Sequence, residues 1–254
     1  FAEVAEDAGF AGVLRFANIR ETAGWSHEGA QAHPKMAALL AMAETAGSSF
    51  ETLSLESRGV ALLLGRDDVA LEAARQLSGV LDLTVLLLPG ADVAPPRKTT
   101  WPVLQGKIAR ALGHMGEFEL TVDAYAAPAP SSRARLEFGP ARDGAVSRCD
   151  LVLDLTGAQA LFHHTRPGYL RADPRDPAAV AALVAEAGQM VGVFDKPKYI
   201  DFIPDLCAHS RNKKTGCTRC LDLCPTGAIL SAGDSVVIDP AICEIGRASC
   251  RERV

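Results

Sequence analysis

The chain has 254 residues, 48% of them hydrophobic and 22% charged, with a formal net charge of −5. That is enough length for one large domain, or a domain with a small appendage, around a sizeable core. A net-negative chain lacks the basic surface that tracks a nucleic-acid backbone, and no apolar run approaches the ~20 residues of a membrane-spanning helix, so neither nucleic acid nor a membrane span is expected.

Residue 1 is Phe and falls within a helix-like pattern, so the chain is expected to begin at a cut. Residues 34–46 place Met36, Leu39, Leu40 and Ala43 at helical spacing, with Pro34 at the start and Gly47 beyond the end, and predict an amphipathic helix. Residues 59–65 are a short apolar run ending in glycine. Residues 67–77 then set Ala70, Ala73, Ala74 and Leu77 on one helical face, and residues 83–88 form a second apolar run. A strand, helix, strand unit of this kind pairs its strands in parallel within an alternating α/β sheet.

Leu104, Ile108 and Ala111 predict another helix. Residues 117–122 and 135–138 alternate as half-exposed strands, with loop over 126–132. Residues 149–156 read as one buried strand that opens on Cys149, a packed core thiol, and stops at Gly157. Asp176 caps a helix carrying Pro177, Val180, Leu183, Val184 and Ala187. The α/β layer is expected to end near Phe194. Residues 1–195 would form a Rossmann-like α/β domain and residues 196–243, after a turn-rich linker with Pro197 and Pro204, a small second domain. The tail over 244–254, EIGRASCRERV, back-translates to a common sequencing-library adapter. It is expected to be an artefact, so Cys250 is given no chemistry.

Six of the seven cysteines follow residue 200, closely spaced, which suits a metal in a reducing, cytoplasmic compartment better than a disulfide framework. Cys207, Cys217, Cys220 and Cys224 contain a C-x2-C-x3-C-P core, with Gly227, Ala228 and Ile229 close behind. Cysteines two residues apart turn both sulfurs toward one centre, backbone N–H groups donate to those sulfurs, and small residues let the backbone lie close to inorganic sulfide. A strand is predicted over 236–238 after a turn at Gly233. A four-cysteine zinc site is the competing reading, although zinc modules usually present two well-separated pairs. His209 reads as a solvated loop residue rather than a ligand. Arg211, Lys213, Lys214 and Arg219 are either a solvated charge run or a docking patch for an acidic redox partner.

The run CPTGAI followed by VVIDPAIC resembles bacterial two-cluster ferredoxins, in which three cysteines of one motif bind one 4Fe-4S cluster and the cysteine before proline binds the other. The resemblance implies a small, truncated ferredoxin-like domain with two clusters in the full-length protein. Cys207, Cys217 and Cys220 would hold the first, and Cys224 and Cys243 the second, with the remaining ligands beyond Cys243. The nine residues between Cys207 and Cys217 depart from the family's usual two. The rival arrangement closes one cluster with Cys207, Cys217, Cys220 and Cys224 alone.

Residues 16–43, with ANIRE, Trp25 and His27, resemble the A subunit of heterodisulfide reductases, where such a run precedes an FAD-binding Rossmann domain. The fingerprint glycines are not kept, because the sequence reads Gly65, Arg66, Asp67, Asp68, Val69, Ala70. Asp67 stands where a pyrophosphate needs glycine, and the second strand ends in Leu88, Pro89, Gly90 rather than an acidic residue for the ribose. FAD is therefore not expected, and the layer reads as a degenerate dinucleotide-binding fold kept as scaffold. The segment over 196–229 is also similar to ferredoxin-like proteins that accompany formate dehydrogenases. The expected function is electron transfer through 4Fe-4S clusters, as a subunit or accessory of a larger oxidoreductase. The alternatives are a flavin-dependent oxidoreductase of the heterodisulfide reductase type and a zinc-stabilised interaction module.

Overall fold

The computed structural model describes residues 4, 9, 15–44, 51–96, 100–198, 200, 202–214 and 216–243. The tail over 244–254 and the expected helix end at 45–47 lie outside the described residues. The chain divides into two compact units, Phe1–Phe50 and Glu51–Val254. In the first, a π-helical turn, Arg20–Gly24, and a short 3-10 turn, Gly29–Gln31, lead into helix α1, His33–Glu44. The Asn18 side chain accepts from the Glu21 N–H at the start of the first turn, and the Arg20 guanidinium lies 5.6 Å from the Trp25 ring centroid. Helix α1 forms as its periodicity predicts, with Pro34 in its first turn. It buries no residue fully, and Leu40 stays exposed.

The second unit opens with β1, Thr52–Ser57, and then builds a parallel pair from β2, Val60–Gly65, and β3, Asp82–Leu87, joined by helix α2, Asp68–Leu77. The strand, helix, strand reading and the parallel pairing both hold. The unbroken apolar run of β2 follows from burial on both faces. Ala61 and Leu63 face one core with Leu83, Val85 and Leu87, while Leu62 and Leu64 face a second with Leu86. Helix α2 seats Ala70, Ala73, Ala74 and Leu77 on the first face, and these small side chains let it lie close. A Cβ added at Gly65 would come within 2.1 Å of the Ala70 Cβ, so Gly65 is a glycine of close approach.

Strands β4, Val103–Leu112, β5, Phe118–Ala126, β6, Ala145–Cys149, β7, Leu151–Asp154, and β8, Tyr169–Arg171, complete a seven-stranded sheet of order β6-β5-β4-β3-β2-β7-β8. The segment around Leu104, Ile108 and Ala111 is therefore a strand and not a helix. The register of β4 against β5 moves from Ile108↔Val122 to Arg110↔Thr121, which inserts one extra residue into β4. That bulge flips the parity of the pleat, so Leu104, Ile108 and Ala111 all pack on the second core at a spacing that imitates a helix. Four of the six strand pairings in this sheet are parallel, and β4–β5 and β5–β6 are antiparallel. The result is an α/β protein with a Rossmann-like layer.

Two further expectations are corrected. Residues 135–138 are not a strand: Leu136 is buried and Phe138 packs on the first core, but Phe138 makes only an isolated bridge with Pro128, and the Glu137 N–H that would continue the ladder donates to the Ser132 hydroxyl instead. The stretch over 149–156 is not one strand, because Cys149 closes antiparallel β6 and the parallel β7 begins at Leu151. Between them, Asp150 uses its carboxylate to accept from the Arg58 and Val60 N–H groups at 2.7 and 3.1 Å. Cys149 is buried, as expected of a core thiol, and burial pushes its pKa up to about 12.

Helix α3, Pro177–Ala187, forms as predicted, with the Asp176 carboxylate accepting from the Ala178 and Ala179 N–H groups. Leu183 and Ala187 join α2 on the first face of the sheet. Strand β9, Gly192–Pro197, runs past Phe194 and pairs antiparallel with β1. The cysteine segment adds helices α4, Ala208–Asn212, and α5, Arg219–Leu223, and a hairpin of β10, Ile229–Ser231, and β11, Val236–Ile238. The predicted strand and the turn at Gly233, where φ is +81°, are both present. Among the described residues no helix is long and apolar enough to cross a membrane.

Candidate metal centre

The six described cysteines are all free thiols. Cys207 is the N-cap of α4, and its thiol is held below the usual range chiefly by the Ser210 N–H, which burial opposes and which the Ser210 hydroxyl and the His209 N–H reinforce. Cys217 is exposed just before α5. Cys220 lies inside that helix, where burial, followed by the neighbouring charges of Cys207 and Cys217, pushes its thiol up. These three sulfurs therefore share one electrostatic neighbourhood. Among the described residues, no three His, Cys, Asp or Glu side chains converge closely enough to hold a metal ion in this geometry.

Cys224 ends α5 and turns into Pro225. It packs in a small apolar cluster with Cys243, Ala228, Ile242, Ile200 and Ile238. Burial alone would raise its pKa. The Thr226 hydroxyl, 3.6 Å from the sulfur, and the N–H groups of Ile229, Ala228 and Thr226 outweigh burial and lower it. This is the donor pattern that stabilises a thiolate bound to iron, and soft sulfur ligands with converging N–H donors fit an iron–sulfur group chemically. Gly227, with φ at +68°, makes the turn that brings these N–H groups round to the sulfur.

His209 is not a solvated loop residue. It is fully buried, its Nε2–H donates to the Gly233 carbonyl at 2.7 Å, and its Nδ1 has no hydrogen-bond partner among the described residues. Its strongly charged sequence neighbours concealed this, since only the return of the hairpin places Gly233 over the ring. Arg211, Lys213, Lys214 and Arg219 are exposed.

Two contacts outside the motif tie the cysteine segment to the strands and loops around it. Lys196 Nζ donates to the Ala241 carbonyl at 2.7 Å. Arg166 donates to the Gly113 carbonyl at 3.0 Å and the Thr226 carbonyl at 3.3 Å, with its guanidinium 4.4 Å from the Phe162 ring centroid. Arg166 thus clamps the loop that feeds donors to Cys224. Sixty residues separate Arg166 from Thr226, so no local pattern could have pointed to it.

On the α/β side, Asp67 caps α2 by accepting from the Val69 N–H at 3.1 Å, and lies 3.8 Å from the Arg66 guanidinium. The helix N-terminus that would face a pyrophosphate is thereby taken by a carboxylate of the chain itself. Compared with known proteins, the chain matches no protein-family model and no curated sequence.

Proposed function

We propose that this protein passes single electrons through 4Fe-4S clusters, as a ferredoxin-type subunit or accessory of a larger oxidoreductase in a reducing, cytoplasmic compartment. The observation that carries the reading is the donor cage on Cys224, set inside a C-x2-C-x3-C-P spacing. The clusters would supply one-electron chemistry when bound. Cys207, Cys217 and Cys220 would hold one of them through thiolates, and Cys224 and Cys243 would contribute to the other within a ferredoxin-like fold. The Thr226 hydroxyl and the N–H groups behind it spread negative charge away from the Cys224 sulfur, and Ala228 and Ile242 keep water from it. The exposed cations on and beside α4 and α5 offer an acidic redox partner a docking face, and a formate dehydrogenase or a heterodisulfide-reductase-like complex is the kind of partner proposed.

Protein purified anaerobically should contain iron and acid-labile sulfide, with a broad visible absorption that dithionite bleaches. Stoichiometric zinc in that preparation, with no sulfide, would replace this reading by a zinc-stabilised module. FAD is no part of the proposal. Calorimetry should detect no flavin binding at micromolar concentration, because Asp67 would set a second negative charge against the pyrophosphate. A micromolar affinity for FAD would favour the flavin oxidoreductase alternative.

A further inference from the structure

We propose that the crevice beyond the carboxyl ends of β2, β3 and β7 binds a small, uncharged, apolar molecule. This does not depend on the electron-transfer reading. From β2 the sheet grows outward through β3 and β4 on one side and through β7 and β8 on the other, and such a divergence opens a crevice at the carboxyl ends of the strands. Here it forms a cavity of about 760 Å³, inside the ~300–1,000 Å³ span of small-molecule sites.

Apolar side chains meet in this space from two directions. Leu64, Leu86 and Ile108 form a floor on the sheet face opposite α2 and α3. Gly106 lies on the same face, where a Cβ would press on Val122 and Leu86, so glycine lets β4 pass close beneath the cavity. Leu161, on the loop after β7, packs toward the same core and lines the cavity from the other wall.

The loop wall is built in advance of any ligand. Asp154, 1% exposed, accepts from the Thr156 N–H at 3.0 Å and the Thr156 hydroxyl at 2.6 Å. Tyr169 donates its hydroxyl to the other Asp154 oxygen at 2.7 Å and accepts from the Leu161 N–H at 3.1 Å, and Arg171 donates to the Ala158 carbonyl. A wall already ordered costs a ligand little further ordering.

The charges around the cavity exclude an ion of either sign. Asp154 is the one carboxylate lining it, and it is already engaged by Thr156, Tyr169 and, at 3.7 Å, Arg171. Gly106 and Ile108 face the floor, so the Lys107 side chain between them leaves from the opposite face of the sheet, where its partner in register is Asp123. His163 stands on the rim and is exposed, so water screens it. An ion entering the crevice would give up its water against an apolar floor and gain no counter-charge, a cost that an uncharged molecule does not meet. None of residues 65–70 lines the cavity, so the ligand is not a dinucleotide seated on the α2 N-terminus.

The test uses the full chain and phenylnaphthylamine, an uncharged fluorescent probe, displaced by naphthalenemethanol, by naphthoate or by naphthylmethylammonium. Saturable one-site binding is expected, with the alcohol displacing the probe about tenfold more tightly than either ion. Ala160→Trp, on the loop wall, should fill the space and weaken the probe about tenfold while far-ultraviolet circular dichroism stays unchanged. Gln159→Lys, at the exposed rim, should leave the probe in place and tighten naphthoate about threefold relative to the alcohol, which decides the location if the first variant does not fold. Unsaturable fluorescence, displacement by either ion as tight as by the alcohol, or folded variants that leave probe and competitors unchanged would overturn the proposal.

Discussion

Cys217→Ser and Cys224→Ser should remove different signals in the electron paramagnetic resonance spectrum of the reduced, anaerobically purified protein. In the proposed arrangement Cys217 would act with Cys207 and Cys220, since Cys207 and Cys217 both bear on the Cys220 thiol, whereas Cys224 packs in the apolar group with Cys243. Each variant should therefore lose about half of the bound iron and leave the other signal in place. Arg166→Ala should act on the second signal alone, because its contact with Thr226 orders the loop that donates to Cys224. The opposing result is a single signal lost completely in either cysteine variant, which would mean that Cys207, Cys217, Cys220 and Cys224 close one cluster together.

Asp154→Ala is expected to be the most damaging single change to the α/β sheet. The carboxylate is buried, and its loss would leave the Thr156 and Tyr169 hydroxyls without their acceptor and Arg171 without its nearest negative charge. Leaving buried hydroxyls without their acceptor costs about 1–3 kcal/mol each, a large part of the stability of a domain this size. Asp154→Asn keeps one acceptor oxygen but confronts the Tyr169 hydroxyl with a second donor, at a cost of about 1–3 kcal/mol. Urea unfolding monitored by circular dichroism gives both numbers. A loss below about 1 kcal/mol for the alanine variant would show that water replaces the carboxylate and that the loop wall is not held from this residue.

The elements that could be read from the chain were those whose cause is local. Residues 67–77 show the helical spacing of Ala70, Ala73, Ala74 and Leu77, and the helix forms there. Asp176 and Pro177 mark the start of α3 in the same way. The parallel pairing of β2 with β3 follows because a helical connection of that length returns the chain in the same direction. The cysteine motif is legible for a related reason, since a separation of two or three residues limits where the sulfurs can go.

Tertiary structure decided the rest wherever one pattern satisfied two geometries. Leu104, Ile108 and Ala111 share a face on a helix, and equally on a bulged strand; β5 alongside selects the strand. Alternation at Leu136 and Phe138 reports which side chains turn inward, while the ladder fails because the Leu136 and Glu137 N–H groups donate to the Val93 carbonyl and the Ser132 hydroxyl. The charged neighbours of His209 describe the surface of α4, but burial of the ring depends on a hairpin that returns 24 residues later. Asp154 reads as one more residue of an apolar strand until Tyr169 and Arg171 of β8 come beside it. The crevice is the plainest case. Its walls come from β4 and from the loop after β7, stretches that meet only because β2 and β3 pair between them, and no periodicity along the chain encodes a space enclosed by residues so far apart.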